Sequence, residues 1–243
     1  MFATYPSLIK SRNGLMRETA GTSGEILMKT TKTSRGVLAT LIAATGVVWG
    51  TDDWPMHLHD AGRSGFSDTL IELPLSQHWL YVSASAPEAA WAPPIPHAVE
   101  GNLEINRLDF DLAFQVAASD EAVYFGSSSD DQVRCLDSRS GKVRWSFFAD
   151  GPVRLGPSLD AGRLYFGSDD GFVYCLDARS GSVIWKRLLG FDRTRHLGNG
   201  RLISRWPVRS GILVRDGIAY CGAGVFPHEG IMFRDVTTLF ADA

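Results

Sequence analysis

The sequence has no adjacent cysteine pair, no Cys-x-x-Cys and no Cys/His cluster. Gly-x-Ser-x-Gly, His-Glu-x-x-His, Walker and Gly-x-Gly-x-x-Gly patterns are also missing, which removes the usual signatures of nucleophilic hydrolases, zinc proteases and nucleotide binders. Its three cysteines, Cys135, Cys175 and Cys221, are an odd number, so no fully paired disulfide framework is possible within the chain. Small, apolar filler is their expected role. A net charge of −3 gives no basis for nucleic-acid binding. The longest uncharged apolar run, 36–49, has fourteen residues, fewer than the ~20 a helix needs to span a bilayer.

What charge there is falls unevenly. Residues 186–215 hold eight Lys/Arg against one Asp, and residues 1–50 six against two. In the second stretch Lys29, Lys32 and Arg35 precede the apolar run, and small residues follow, with Gly46 and Gly50 as cleavage candidates. This order of basic, apolar and small residues is that of a secretory signal. We expect a leader over 1–50, with an export signal at 28–50 and Met28 as the true start. A membrane anchor or a plain buried helix is the alternative for the apolar run. Residues 1–50 contain no cysteine, which excludes a lipid-anchored cysteine there. The following domain is expected over 51–243.

The informative feature is a repeat. VYFGSSSDDQVRCLDSRSGKVRWSFF (123–148) lies over LYFGSDDGFVYCLDARSGSVIWKRLL (164–189). Tyr124 corresponds to Tyr165 at a shift of 41, and Cys135, Asp137, Gly141 and Trp145 correspond to Cys175, Asp177, Gly181 and Trp185 at a shift of 40. Within each copy, short runs rich in aromatic and β-branched residues are bounded by Gly, Asp and Ser, so each reads as a strand. Asp137 and Asp177 open a turn whose backbone N–H groups their carboxylates can accept. Gly141 and Gly181 can take the positive φ that closes a type I turn with a bulge. The segments before each YFG, DLAFQVAASDE and GPVRLGPSLDAG, supply another strand apiece. Four antiparallel strands in about 40 residues make one propeller blade. A third copy begins at AYCGAG (219–224), some fourteen residues late, and the basic stretch FDRTRHLGNGRLISRW fills the excess.

Leu-Asp-x-x-Ser-Gly-x-x-x-Trp at 136–145 and 176–185 resembles the tryptophan-docking repeat of PQQ-like, quinoprotein-type β-propellers. WPMHLHDAGRSG (54–65) is similar to the opening strand of such propellers, and WD40 and kelch signatures are missing. The resemblance covers about residues 54–235, most weakly over 70–112. It implies an all-β, partial propeller of about three four-stranded blades, in which each tryptophan packs on the next blade near its repeat glycine. Rings of this family close with about six to eight blades, so the chain is expected to be a truncated member or one part of an assembled ring. Enzymes of the family bind PQQ with calcium through Glu, Asn and Asp and carry a disulfide between adjacent cysteines. No residue here maps to that set by motif, so no catalytic, cofactor-binding or metal residue is assigned, and Asp130, Asp131, Asp169 and Asp170 are expected at solvated turns.

Two minor features remain. His57 and His59, with Asp60, form a metal pair only if their segment is a strand, since i and i+2 then share a face. Arg193, Arg195, Arg201 and Arg205, with Arg209 beyond them, are a candidate anion-binding loop on a hairpin near Trp206. The alternative for these arginines is ion pairing with the acidic turns of neighbouring blades. The expectation is an exported, non-catalytic binding or scaffold module of the outer-membrane-assembly kind, in the periplasm, cell envelope or outside the cell. Its partners would be a protein, the remaining blades or an anionic ligand, and not nucleic acid. The alternative is a fragment of a PQQ- or metal-dependent quinoprotein oxidoreductase whose active-site blades are missing. Mass spectrometry of the native protein should find no peptide from residues 1–27; one such peptide overturns Met28 as the start.

Overall fold

In the computed structural model, the described residues form thirteen strands in one two-stranded, one three-stranded and two four-stranded antiparallel sheets. Residues 53–71, 73–90, 113–198, 200–225 and 230–237 are described, so the leader over 1–50 and its export signal lie outside the described residues. The first sheet runs in order β1 (Val116–Ala118), β2 (Ala122–Ser127), β3 (Gln132–Asp137) and β4 (Val143–Phe148). The second repeats it with β5 (Ser158–Asp160), β6 (Arg163–Gly167), β7 (Phe172–Asp177) and β8 (Val183–Leu188). A hairpin of β9 (Arg195–Gly198) and β10 (Arg201–Ser204) follows, and then a third sheet of β11 (Leu213–Arg215), β12 (Ile218–Ala223) and β13 (Met232–Thr237). The molecule is all-β and a partial β-propeller. The first strands of successive sheets adjoin, β1 with β5 and β5 with β11, so the sheets radiate from that side.

The first and second sheets are covered on both faces, which explains why their middle strands β3 and β7 are buried almost continuously instead of at every second residue. Adjacent residues of one strand serve different interfaces, because side chains alternate across a sheet. Phe166 and Tyr174 pack toward the first sheet with Tyr124, Val133 and Cys135. Tyr165, Val173 and Cys175 pack toward the third with Val208, Ala219 and Cys221. All three cysteines are free and buried.

The doubled turn has one geometry in both copies. Asp137 Oδ1 accepts the Ser140 N–H at 2.8 Å, and Asp177 Oδ1 accepts the Ser180 N–H at 2.8 Å. Gly141 and Gly181 take φ of +67° and +74°, and the ladder shifts by a bulge at Cys135/Leu136 and Cys175/Leu176. The Trp145 indole donates to the Ala178 carbonyl at 3.1 Å, and its ring lies where a Cβ on Gly181 would come within 2.7 Å. Trp185 is buried in the core between the second and third sheets.

One sequence expectation needs correction, and with it the condition for a histidine pair is not met. The segment 54–65 is not a strand: Trp54 makes a single bridge to Ala118, and the chain then turns. Leu58 and His59 have φ of 59° and 76°, so His57 and His59 do not share the face of a strand. His59 instead meets the Trp54 ring at 5.1 Å and sits 3.7 Å from Asp60.

Gly181→Ala should be costly, because it combines positive φ with a clash against an indole fixed at both ends. We expect a loss of about 3 kcal/mol in urea unfolding. Gly162→Ala, with similar φ of +75° but nothing within 4 Å, should lose only about 1 kcal/mol.

Candidate functional site

The β6–β7 turn, Ser168 to Gly171, organises one face of the molecule. Asp169 and Asp170 are 1% and 3% exposed. Both were expected at a solvated tip, but the entry to the third sheet and the β9–β10 hairpin close over this turn. Asp169 receives Arg154 Nε at 2.7 Å, and Arg209 Nε and Nη2 at 2.6 and 2.7 Å. Asp170 accepts the Phe172 N–H at 2.9 Å and the Tyr174 hydroxyl. Burial, then the charge of Asp170, pushes the Tyr174 phenol far above its ordinary range, so it stays a donor.

Arg154 and Arg209 belong to a second repeated motif, Pro-Val-Arg at 152–154 and 207–209. Each valine packs on the glycine of the preceding YFG or its equivalent: Val153 on Gly126 and Val208 on Gly167, where an added Cβ would lie 2.5 and 2.3 Å away. The spacing of 55 matches that of Tyr165 and Tyr220, a signal present in the sequence but masked by the longer third repeat.

The four arginines of the candidate loop do not form one site. Arg201 Nη1 bonds Glu88 Oε2 at 2.9 Å and the Ser129 carbonyl at 3.2 Å, while Nη2 bonds Asp131. It is therefore committed to the acidic turn of the first sheet, and Asp130 is paired with Arg134. Arg205 is exposed, 5.7 Å from the buried Trp206 ring. Arg193 and Arg195 instead reach a cleft of about 450 Å³ with Asp150, Asp170, Phe172 and Lys186. Lys186 Nζ lies 2.9 Å from Asp150 and 3.9 Å from Asp170, and 4.2 Å from the Phe172 ring centre. Its hydrogen bond holds the Asp150 carboxyl below the usual carboxylate range. The Arg193 guanidinium stands 5.8 Å from the Phe172 ring, and both Arg193 and Arg195 are exposed. Among the described residues no ion pair engages either, so the cleft offers two arginines at the edge of an aromatic floor.

Elsewhere the reactive groups are spent on architecture. Hydrogen bonds from Arg144 and then Ser140 hold Asp137 far below the usual carboxylate range, and the Ser180 bonds lower Asp177 in the same sense. Burial pushes the Cys135 and Cys175 thiols up to about 11 and that of Cys221 to about 12, which leaves almost no thiolate at neutral pH. Among the described residues, no three His, Cys, Asp or Glu side chains are grouped to hold a metal ion. The buried carboxylates are already saturated by Arg154, Arg209 and Tyr174. These residues do not fit a calcium–PQQ centre. Trp79 was missed in the sequence: its indole donates to the Ser138 carbonyl at 2.8 Å and its ring covers Gly141. A leucine-rich, turn-poor context hid it.

A family model described as outer membrane protein assembly factor BamB matches residues 34–205. The fold is similar to quinohemoprotein alcohol dehydrogenase from Comamonas testosteroni, at 19% identity and a TM-score of 0.50 over 71% of this chain and 23% of that one. A quinohemoprotein alcohol dehydrogenase from Pseudomonas putida HK5 aligns at 19% identity and a TM-score of 0.45, over 72% of this chain and 23% of that one. BamB from Moraxella catarrhalis aligns at 14% identity and a TM-score of 0.29, over 49% of this chain and 43% of that one. The chain thus spans about a quarter of the length of these dehydrogenases. No curated protein matches it in sequence.

Asp169→Asn should leave the buried Arg154 and the half-buried Arg209 sharing a neutral partner. We expect a loss of about 3 kcal/mol in urea unfolding. An unchanged midpoint would show that the Arg154–Asp169–Arg209 cluster does not hold the second and third sheets together.

Proposed function

This chain belongs to the family described as outer membrane protein assembly factor BamB, and from that premise we propose that it is an exported, non-catalytic module that binds an acidic partner protein in the cell envelope. One observation carries the proposal: the acids and thiols of the repeats are buried or bonded, while Arg193 and Arg195 stand exposed at a cleft floored by Phe172. Such a surface recognises and does not transform. A guanidinium presents a planar fork of donors to a carboxylate, and two of them beside an aromatic ring suit an extended acidic peptide. Lys186 does not compete for that role, since Asp150 and Asp170 already neutralise it. The role in the family's name, assembly at the outer membrane, supports the envelope location, and the basic-apolar-small order at 28–50 supports export.

The fold likeness to an alcohol dehydrogenase favours a second reading, a segment of a quinoprotein oxidoreductase. Titration calorimetry separates the two. A Glu-rich peptide should bind the purified chain, weaken as salt is raised, and lose at least about tenfold in affinity in the Arg193→Ser/Arg195→Ser variant. Binding unchanged in that variant removes the cleft from the proposal. Saturable uptake of PQQ with calcium would favour the oxidoreductase reading instead.

A further inference from the structure

Residues 78–83 belong to none of the four sheets, yet their side chains follow the pattern of an outermost strand. The Trp79 indole bonds the Ser138 carbonyl at 2.8 Å, as Trp145 bonds the Ala178 carbonyl at 3.1 Å one sheet further on. Trp79 covers Gly141 as Trp145 covers Gly181. Two residues later the Tyr81 ring meets Phe125 at 5.5 Å, as Phe147 meets Phe166 at 5.9 Å. Exposure keeps the same step: Trp79, Tyr81 and Ser83 are half-buried between exposed Leu80 and Val82, as Trp145, Phe147 and Ala149 are between exposed Ser146 and Phe148. The segment therefore holds the place of a fourth strand in a sheet preceding the first. Among the described residues no strand pairs with it, and Leu80 and Val82 are 72% and 77% exposed.

The third sheet has the converse gap. In the first two sheets the second-strand tyrosine meets the fourth-strand tryptophan, Tyr124 with Trp145 and Tyr165 with Trp185, each at 6.0 Å. Tyr220 is their counterpart and is 44% exposed. Phe233 pairs with Gly222 as the fully buried Val173 pairs with Gly167, yet Phe233 is 82% exposed. The outer edge of β13 carries no further strand among the described residues. One chain thus displays a tryptophan strand without its sheet and a tyrosine sheet without its tryptophan strand.

We infer that two copies of this chain pair by strand exchange, residues 78–82 of each adding to the outer edge of β13 in the other and bringing Trp79 against Tyr220. The second sheet stands between the two features within one chain, so the chain cannot join its own gap. A foreign strand could complete β13 but would leave residues 78–82 unpaired. Exchange with a second copy fills both gaps at once and is self-complementary, which closes the assembly about a two-fold axis. It also removes two open edges that would otherwise invite unlimited association. The closed pair holds six four-stranded sheets. The register follows from the first two sheets. Ser146 faces Arg134 and Lys186 faces Tyr174, and the counterpart of Tyr174, opposite Cys221, is Arg234. Leu80 of one copy therefore faces Arg234 of the other.

Light scattering on the full chain should give twice its mass of 26.6 kDa. Chains carrying Leu80→Cys, mixed with chains carrying Arg234→Cys and oxidised, should form a covalent dimer that neither forms alone. Both substituted residues are exposed, and the native thiols are buried and do not compete. Tyr220→Asp, also at an exposed position, should return the protein to monomer with its far-ultraviolet spectrum kept. A wild-type monomer without a mixed cross-link overturns exchange, and an open-ended series of heavier species overturns the closed pair.

Discussion

The seating of an indole on a glycine of the next sheet's turn is the constraint on which the arrangement rests. Trp145 can reach the Ala178 carbonyl only because Gly181 has no side chain, and Gly181 can turn the chain there because positive φ costs it little. The aspartate four residues earlier fixes the turn, with Asp177 accepting both the N–H and the hydroxyl of Ser180. Indole, glycine and aspartate are thus one device spread over two sheets. It sets the distance between outer strands, while Tyr124 and Tyr165 fill the space beneath each tryptophan.

At the other end of the sheets a different device does the spacing. Val153 on Gly126 and Val208 on Gly167 bring each incoming chain close to the preceding second strand. The arginine that follows each valine turns inward to Asp169. A buried charge needs full compensation, and here one carboxylate is shared by two guanidiniums, with Arg154 also bonding the Glu88 carbonyl. This arrangement ties the first, second and third sheets to one acidic residue. It adds rigidity beneath the cleft, since Asp170 is the next residue along the same turn.

The blade repeat was legible because its residues act locally. A turn that needs Asp, Ser and Gly at fixed offsets, and a strand that ends in Trp, leave the same letters wherever they occur. Ion pairing between the arginines and the acidic turns was open in the sequence as an alternative, but not which acid each would meet, because Asp169 meets partners fifteen residues before it and forty after it. An Asp-Asp-Gly sequence reads as a solvated turn unless one knows that the next segment folds over it. The arginines of the loop divide between the two readings for the same reason. Arg201 points back across the hairpin to Glu88 and Asp131, whereas Arg193 and Arg195 lie on its other arm. Trp79 escaped notice because its segment has no glycine-bounded turn before it, and its contacts with Gly141 and the Ser138 carbonyl reveal its kinship with Trp145.

The extra residues between the second and third repeats link these observations. A plain repeat would carry the chain from β8 straight to the next Pro-Val-Arg. The insertion instead forms β9 and β10, buries Ile203, Ser204 and Trp206, and lays Arg201 against the first sheet. With these residues holding the hairpin down, its free arm is fixed in place over Phe172. Arg193 and Arg195 are therefore presented on a supported edge, and a ligand would meet them with little ordering still to be done. The insertion gives this partial propeller a feature that its repeats alone do not provide. Its exposed pair, Arg193 and Arg195, stands where Asp150 and Asp170 are already neutralised by Lys186.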